Sequence, residues 1–371
     1  MTIKKPYYVD FLVTSKCNLK CSFCSAAINS KNAHDELTLS EIQNIFRELD
    51  ELQVLRVAIE GGEPFLRKDI LDIMKFADQC DFDYYINTNA TLIDQELAKK
   101  IGQTTVSKLC ISIDGPNDLI HDSSRCVKGS FKKTINAINY LKKEKVNIDA
   151  IITISKINNN HIVDTLRFIK SIGINNVAIM FLATVGDAYK NLKNIYLSFN
   201  ELKQVLYDLT VLKLENKLPV DLSLVPTGES LCPWEIYLPL KELGMEEHLG
   251  LWKNQNLVSS LPTNSFACTA GRDNFAIDSF GNVFGCSLMV SMNDLAAGNY
   301  RNSSLKQIWH ESTLFNKLRN SSLSNIIGEC KSCKYLDKCK GGCRACAFDL
   351  NKSIYASDTR CPLTKKTGAD L

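Results

Sequence analysis

The sequence predicts an α/β fold, an open partial (β/α)6 barrel followed by a C-terminal cysteine-rich domain. Three observations predict it. Short β-branched or aromatic runs alternate six times with amphipathic stretches through the first half of the chain. That alternation lapses between residues 191 and 265. Eight of the fifteen cysteines then fall between Cys268 and Cys361.

The expected strands are Tyr7–Val13, Val54–Ile59, Asp83–Asn87, Lys108–Ile113, Ile148–Ile154 and Asn176–Phe181, each bounded by turn residues. Helical patterns lie between them. Ser40–Leu52 opens on Ser40-x-x-Gln43, a capping box, and repeats apolar residues at Ile42, Ile45, Phe46, Leu49 and Leu52. Asp69–Cys80, Asp94–Ile101, Phe131–Lys145 and His161–Ile172 follow the same periodicity. Strand-then-helix repetition implies a parallel sheet with helical crossovers. Six units are too few to close an eight-stranded barrel, so the barrel is expected to be open. Phe199–Leu214 reads as a further helix, and the proline-bearing stretch Leu222–Pro239 as a connecting segment. The organisation expected is therefore a barrel over 1–190, a bridge over 191–265 and a metal-stapled unit over 266–371.

Composition narrows the function. A net charge of +3 without a dense basic run excludes nucleic acid as the expected partner. No run approaches the ~18 apolar residues of a membrane span, and the first residues lack a signal-peptide pattern, so a cytoplasmic protein is expected. An odd number of cysteines without an export signal argues for metal or redox cofactors over disulfides.

Cys17-x-x-x-Cys21-x-x-Cys24 follows the first strand directly. Three thiolates at this spacing can hold three irons of a cubane cluster and leave the fourth open to a small ligand. A structural zinc site needs four closed ligands, and His34, ten residues on, is the nearest other donor type. By spacing alone both readings stand. Motif-like turns end the later strands, where barrel folds place their sites: Gly61-Gly62-Glu63-Pro64, Asn87-Thr88-Asn89-Ala90-Thr91, Ser112-Ile113-Asp114-Gly115 and Thr184-Val185-Gly186-Asp187.

The segment CNLKCSFC, with Phe23 before the third cysteine, resembles the signature of the radical S-adenosylmethionine superfamily. The resemblance implies a [4Fe-4S] cluster on Cys17, Cys21 and Cys24 whose open iron chelates the methionine end of S-adenosylmethionine. It implies a 5′-deoxyadenosyl radical that abstracts a substrate hydrogen. It further implies cofactor contacts at Gly61, Gly62, Glu63, Asn89 and Ser112. Ala90 stands where the family's turn usually has glycine. Ser155 and Asn158 are implied as ribose contacts, and His121, Asp122 and Arg125 are familiar from relatives with a cysteine-rich tail.

The C-terminal spacing is Cys268, Cys286, Cys330-x-x-Cys333-x5-Cys339-x-x-x-Cys343 and Cys361. It resembles the seven-cysteine SPASM domain, which holds two auxiliary [4Fe-4S] clusters and, with the first, makes three. By that resemblance Cys330, Cys333, Cys339 and Cys361 hold an outer cluster, and Cys268, Cys286 and Cys343 an inner one, with Cys346 or Cys232 as a further ligand. Two zinc knuckles are the plainer alternative, although they strand three cysteines. Phe275–Val283 reads as a hairpin about Gly281. Cys80, Cys110 and Cys126 read as buried thiols.

Three reaction classes remain. The first is modification of a ribosomally made peptide by cross-linking, epimerisation or side-chain oxidation. With little chain before Tyr7, such a precursor is expected to dock directly or through a separate recognition protein. The second is radical chemistry on a small molecule, such as tetrapyrrole decarboxylation or alcohol oxidation. The third is a non-catalytic iron–sulfur electron carrier. Either enzyme requires an electron donor such as flavodoxin or ferredoxin. The acid–base candidates are Asp114, Asp122, Glu229 and Asp278.

Overall fold

Six parallel strands follow the chain in order: β1 (Tyr8–Thr14), β2 (Arg56–Gly61), β3 (Asp83–Thr88), β4 (Leu109–Ser112), β5 (Ile148–Thr153) and β6 (Asn176–Met180). A seventh, β7 (Asp221–Val225), continues the sheet beside β6. The computed structural model describes residues 5–25, 35–225, 233–252, 264–290 and 292–364. Helices Leu39–Glu51, Ile70–Ala77, Gln95–Ile101, Ser130–Lys143, Ile162–Ser171 and Phe199–Leu214 make the crossovers.

Strand alternation sorts the side chains into two layers. Val9, Phe11 and Val13 of β1 are fully buried against the helices, with the Phe11 ring edge-on to Phe46 at 5.8 Å. Val57 and Ile59, Tyr84 and Ile86, and Leu109 and Ile111 continue that face. Ile42, Ile45, Phe46 and Leu49 meet it from the first helix. Each such side chain contributes roughly 1.5–3 kcal/mol by leaving water. The alternate residues, among them Asp10, Glu60, Tyr85, Asn87, Cys110 and Ser112, face the barrel lumen.

The C-terminal region is built onto the same sheet. β8 (Asn274–Ile277) runs parallel to β1, pairing Tyr8 with Asn274 and Phe11 with Ile277. β9 (Asn282–Phe284) folds back antiparallel on β8, and β10 (Ala296–Asn299) pairs with β9. The expected hairpin about Gly281 is present, with Gly281 at φ +83°. The sheet order is β10-β9-β8-β1-β2-β3-β4-β5-β6-β7, so the barrel stays open.

Several local expectations need correction. The first helix is capped by Thr38 with Glu41 and not by Ser40 with Gln43. Glu41 accepts from Thr38 N–H at 2.7 Å while Thr38 Oγ1 accepts from Glu41 N–H, and Arg301, paired with Glu41 at 2.7 Å, is the leading cause that holds that carboxyl at about 2. The stretch Leu222–Pro239 is no mere connection, since it supplies β7 and most of the helix Trp234–Glu242. Residues 118–125 form a helix, capped by Asn117, that periodicity did not reveal. Cys126, expected buried, is exposed at the end of that helix. Among the described residues, no helix is long and apolar enough to cross a membrane.

Candidate functional site

The loop after β1 carries Cys17, Cys21 and Cys24, and nearly every strand-end turn grips it. The Gly61-Gly62-Glu63 turn binds it through Gly62 N–H to Thr14 O (2.8 Å) and Glu63 N–H to Lys16 O (2.7 Å). A Cβ on Gly61 would strike Thr14 O, and one on Gly62 would strike Lys16 O, so this close approach requires glycine. The two glycines therefore first serve the cysteine loop itself.

Glu63 is buried and its carboxylate is fully engaged. It accepts from Thr88 Oγ1 (2.7 Å), Asn89 N–H (2.8 Å) and Phe65 N–H (3.2 Å). Burial pushes its carboxyl up, against these hydrogen bonds. Its work is to tie the β2 turn to the β3 turn. From there Asn89 Nδ2 donates to Asn18 Oδ1 (3.0 Å), and Asn18 Nδ2 donates to Thr91 Oγ1 (2.7 Å). Asn18 lies between two of the cysteines and was missed in the sequence. Its signal was only a carboxamide inside a ligand loop.

Arg125 closes the opposite side. Its Nε lies 2.5 Å from Asp114 Oδ2, its Nη1 donates to Cys21 Sγ at 3.6 Å, and its guanidinium stands 5.1 Å from the Phe23 ring centre. Lys20 N–H and Ser22 N–H donate to the carbonyls of Arg125 and Ser124. Gly186 packs against Ser25 O, leaving no room for a Cβ, while Ala188 N–H donates to Cys24 O at 3.2 Å.

The acid–base candidates have structural work. Asp114 is fully buried, holding Arg125 and accepting from Thr153 N–H at 2.9 Å. Asp122 accepts from Gly129 N–H, Ser130 Oγ and Phe131 N–H, which caps the following helix. Asp278 receives Phe280 N–H, Asn282 N–H and Asn282 Nδ2 within the hairpin turn. Glu229 and Cys232 lie outside the described residues, as does His34. His121 accepts from Asp114 N–H and is buried, which lowers it to about 4 and keeps it neutral. Asn158 binds Ser155 N–H, Thr153 O and Asp114 O, so both implied ribose contacts sit in the same buried brace. Ser112 ends β4 on the lumen face, partly exposed.

The second cysteine group is enclosed. Cys330, Cys333, Cys339 and Cys361 line one cavity with Trp234, Leu238, Tyr335 and Leu336. Cys268 lies near Cys286, and Cys346 lies beside Cys343, one turn along from it. Burial pushes the Cys339 thiol up to about 12 and the Cys286 thiol well above its ordinary value. Behind them Arg344 spends its guanidinium on four carbonyls, those of Gly341, Gly342, Ile354 and Ala356. Arg360 pairs with Asp358 (2.5 Å) and Glu235 (3.2 Å). Asp358 also accepts from Cys343 N–H and Trp234 Nε1.

These sulfurs fit an anionic polynuclear group. None of the described cysteines is paired in a disulfide. Donors point at sulfur: Leu19 N–H at Cys17 (3.4 Å), Arg125 at Cys21, and Tyr335 N–H at Cys333 (3.5 Å).

A parallel partial barrel with thiols at its strand-end mouth and a cysteine-lined appendage defines an iron–sulfur protein class. Comparison with known proteins gives the family. The model of the Radical SAM superfamily matches residues 11–169, and that of an iron–sulfur cluster-binding domain, SPASM, matches 268–334. The chain belongs to the radical SAM superfamily and carries a SPASM domain. It is 26% identical to an AdoMet-dependent heme synthase of Methanosarcina barkeri, over 96% of each chain. It is 27% identical to the mycofactocin maturase MftC of Mycolicibacterium smegmatis, over 96% of this chain and 82% of that protein. In fold it resembles SuiB of Streptococcus suis bound to its precursor peptide SuiA. The TM-score there is 0.76 at 19% identity, covering 97% of this chain and 76% of that one. It also resembles anSMEcpe with bound AdoMet, with a TM-score of 0.70 at 22% identity, covering 97% and 92%.

Proposed function

We propose that this enzyme performs radical chemistry on a ribosomally made peptide, cross-linking, epimerising or oxidising a side chain. The organisation proposed is a barrel over 1–190, a bridge over 191–265 and the auxiliary-cluster unit over 266–371. Cys17, Cys21 and Cys24 hold the first cluster, with Gly61, Gly62, Asn89 and Ser112 lining the cofactor side. Cys330, Cys333, Cys339 and Cys361 hold the outer auxiliary cluster. Cys268, Cys286 and Cys343 hold the inner one, with Cys346 beside it. When bound, the first cluster and S-adenosylmethionine supply a 5′-deoxyadenosyl radical, which takes a hydrogen atom from the substrate. Arg125 orients the cysteine loop and balances thiolate charge at Cys21. An external donor such as flavodoxin or ferredoxin supplies electrons.

The observation that carries the peptide reading is the open flank of the barrel. On β7 the whole lumen-facing row, Asp221, Ser223 and Val225, is exposed, and Met180 of β6 is 36% exposed. A lumen open along two strands admits a segment of chain from the side. The similarity to MftC and the likeness to peptide-bound SuiB agree with this. A second reading, a tetrapyrrole substrate, is favoured by the end-to-end match to the heme synthase.

The test uses anaerobically reconstituted protein with dithionite and S-adenosylmethionine. Release of 5′-deoxyadenosine above a Cys17→Ala control is expected. A mass change is expected in a short peptide encoded beside this gene. Turnover of an iron porphyrin with no peptide product would overturn the peptide reading.

A further inference from the structure

One polar cluster lies inside the barrel, below the cysteine loop, and no role above uses it. Tyr8 and Asp10 of β1, Glu60 of β2, and Tyr85 and Asn87 of β3 share the lumen face. Tyr8 OH donates to Asp10 Oδ1 at 2.5 Å and lies 2.9 Å from Tyr85 OH. Asn87 Nδ2 donates to Glu60 Oε2 at 2.8 Å. Asp10 Oδ2 accepts from Ser287 N–H at 3.3 Å, next to Cys286. Among the described residues, no cation pairs with either of these two lumen-facing carboxyls.

Two further groups point to a ligand. Asn274, paired with Tyr8 across β8 and β1 and so on the same face, is 7% exposed, and its Oδ1 is buried with no hydrogen-bond partner. Asn87 Oδ1 is likewise buried and unpartnered. Its amide is held in that orientation by Glu60. Buried acceptors left unpaired are costly, and both lack a donor. Among the described residues, the cations on this strand face are already paired, Arg56 with Asp83 at 3.0 Å and Lys108 Nζ with Asp149 at 2.5 Å, the latter standing 5.7 Å from the Tyr85 ring centre. That pairing also shows that an ammonium fits over Tyr85.

We propose that Asp10, Glu60, Asn87 and Asn274, flanked by Tyr8 and Tyr85, form the subsite that receives the reacting end of the substrate. They take a hydrogen-bond-donating group, an ammonium above all, and exclude a carboxylate. The inference rests on the reading that hydrogen abstraction occurs inside this barrel, beneath the cysteine loop. It gives the substrate a chemical class: a side chain bearing an amine, hydroxyl or amide. Burial, and then the charge on Asp10, push the Glu60 carboxyl up to about 8, which is how a carboxyl behaves when its cation is missing. An entering ammonium supplies that cation. A tetrapyrrole presenting its carboxylates here would meet the Asp10 carboxyl and the unpaired carbonyl oxygens of Asn87 and Asn274.

The test is equilibrium binding to reconstituted, cluster-loaded protein, without turnover. The two probes share a phenol ring and differ in charge: tyramine and 4-hydroxyphenylacetate. Tyramine is expected to bind at least about tenfold more tightly, as opposite charge in a poorly solvated site requires. The Asp10→Asn, Glu60→Gln double variant is expected to lose that preference. Glu96→Gln, on the outer helix Gln95–Ile101, is expected to keep it. Equal or tighter binding of the carboxylate, or no tyramine binding at millimolar concentration, overturns the proposal. So does a preference that survives the double variant. If that variant fails to fold, the wild-type preference still decides. Because binding needs no radical, this result stands apart from the 5′-deoxyadenosine and peptide assays.

Discussion

The two cysteine regions are held in opposite ways. The loop of Cys17, Cys21 and Cys24 has almost no core of its own and leaves Cys17 exposed. It is fixed from outside, by the β2 and β3 turns, by Arg125 and by Gly186. The C-terminal group carries its supports inside, with Cys343, Cys346 and Cys361 buried, Arg344 1% exposed and Arg360 4% exposed. The first region keeps sulfur at an accessible mouth, where a cofactor and substrate must enter. The second sinks sulfur behind charge and aromatic rings, which suits electron transfer or scaffolding. Function at the first site therefore depends on distant turns, and integrity of the second on its own buried charges.

The largest expected effect follows from breaking the second region's support. Arg344→Met removes the donor for four buried carbonyls. Each orphaned acceptor costs roughly 1–3 kcal/mol, so a loss above about 3 kcal/mol is expected. On the proposed three-cluster reading, iron content should fall from about twelve toward about four per chain as the auxiliary sites empty. Colorimetric iron assay and a denaturant melt read both. Retention of all the iron would show that the C-terminal cysteines do not need the buried cation.

Breaking the first region should give the reciprocal pattern. Arg125→Gln leaves Asp114 buried without its cation and removes the donor to Cys21. A loss of about 3 kcal/mol is expected, as for one partner of a buried ion pair. The first site should lose its cluster, and with it 5′-deoxyadenosine release, while the auxiliary iron stays. Electron paramagnetic resonance of the reduced protein separates the two populations. Loss of all clusters together would mean that the two regions are not independently supported.

Sequence carried the thiols but not their supports. Cysteine spacing is local, so both groups were legible, as was the strand-and-helix alternation that sets the barrel. The braces join residues far apart in the chain, such as Asn18 with Thr91 and Arg360 with Glu235, and no local pattern encodes such pairs. Asp122 and Asp278 stood as acid–base candidates because their turn-capping partners cannot be read from spacing, and Asp114 because its cation, Arg125, comes from the next helix. Conversely, Asp10 and Glu60 occupy the polar positions that strand alternation produces on any half-buried sheet, and no spacing sets them apart. β7 was hidden because Asp221–Val225 is short and sits among prolines.

The smallest expected effect concerns Ala90, in the β3 turn that reaches the cysteine loop through Asn89 and Thr91. Ala90 adopts φ +58°, the left-handed region, and is fully buried. That conformation costs an L-residue roughly 1–2 kcal/mol, which Ala90→Gly would relieve. Against it stand roughly 0.4–1 kcal/mol of added unfolded-chain entropy and about 0.8 kcal/mol for the lost methyl burial. The terms nearly cancel, so Ala90→Gly should shift stability by no more than about 0.5 kcal/mol and leave the first cluster in place. This balance explains how alanine stands at a turn where glycine is usual. Ala90→Val should instead lose more than about 2 kcal/mol, because a branched side chain suits neither the left-handed backbone nor the filled space. Paired denaturant melts and the iron assay check both variants. A large loss in Ala90→Gly would show that the methyl group, and not the backbone, positions this turn against the cysteine loop.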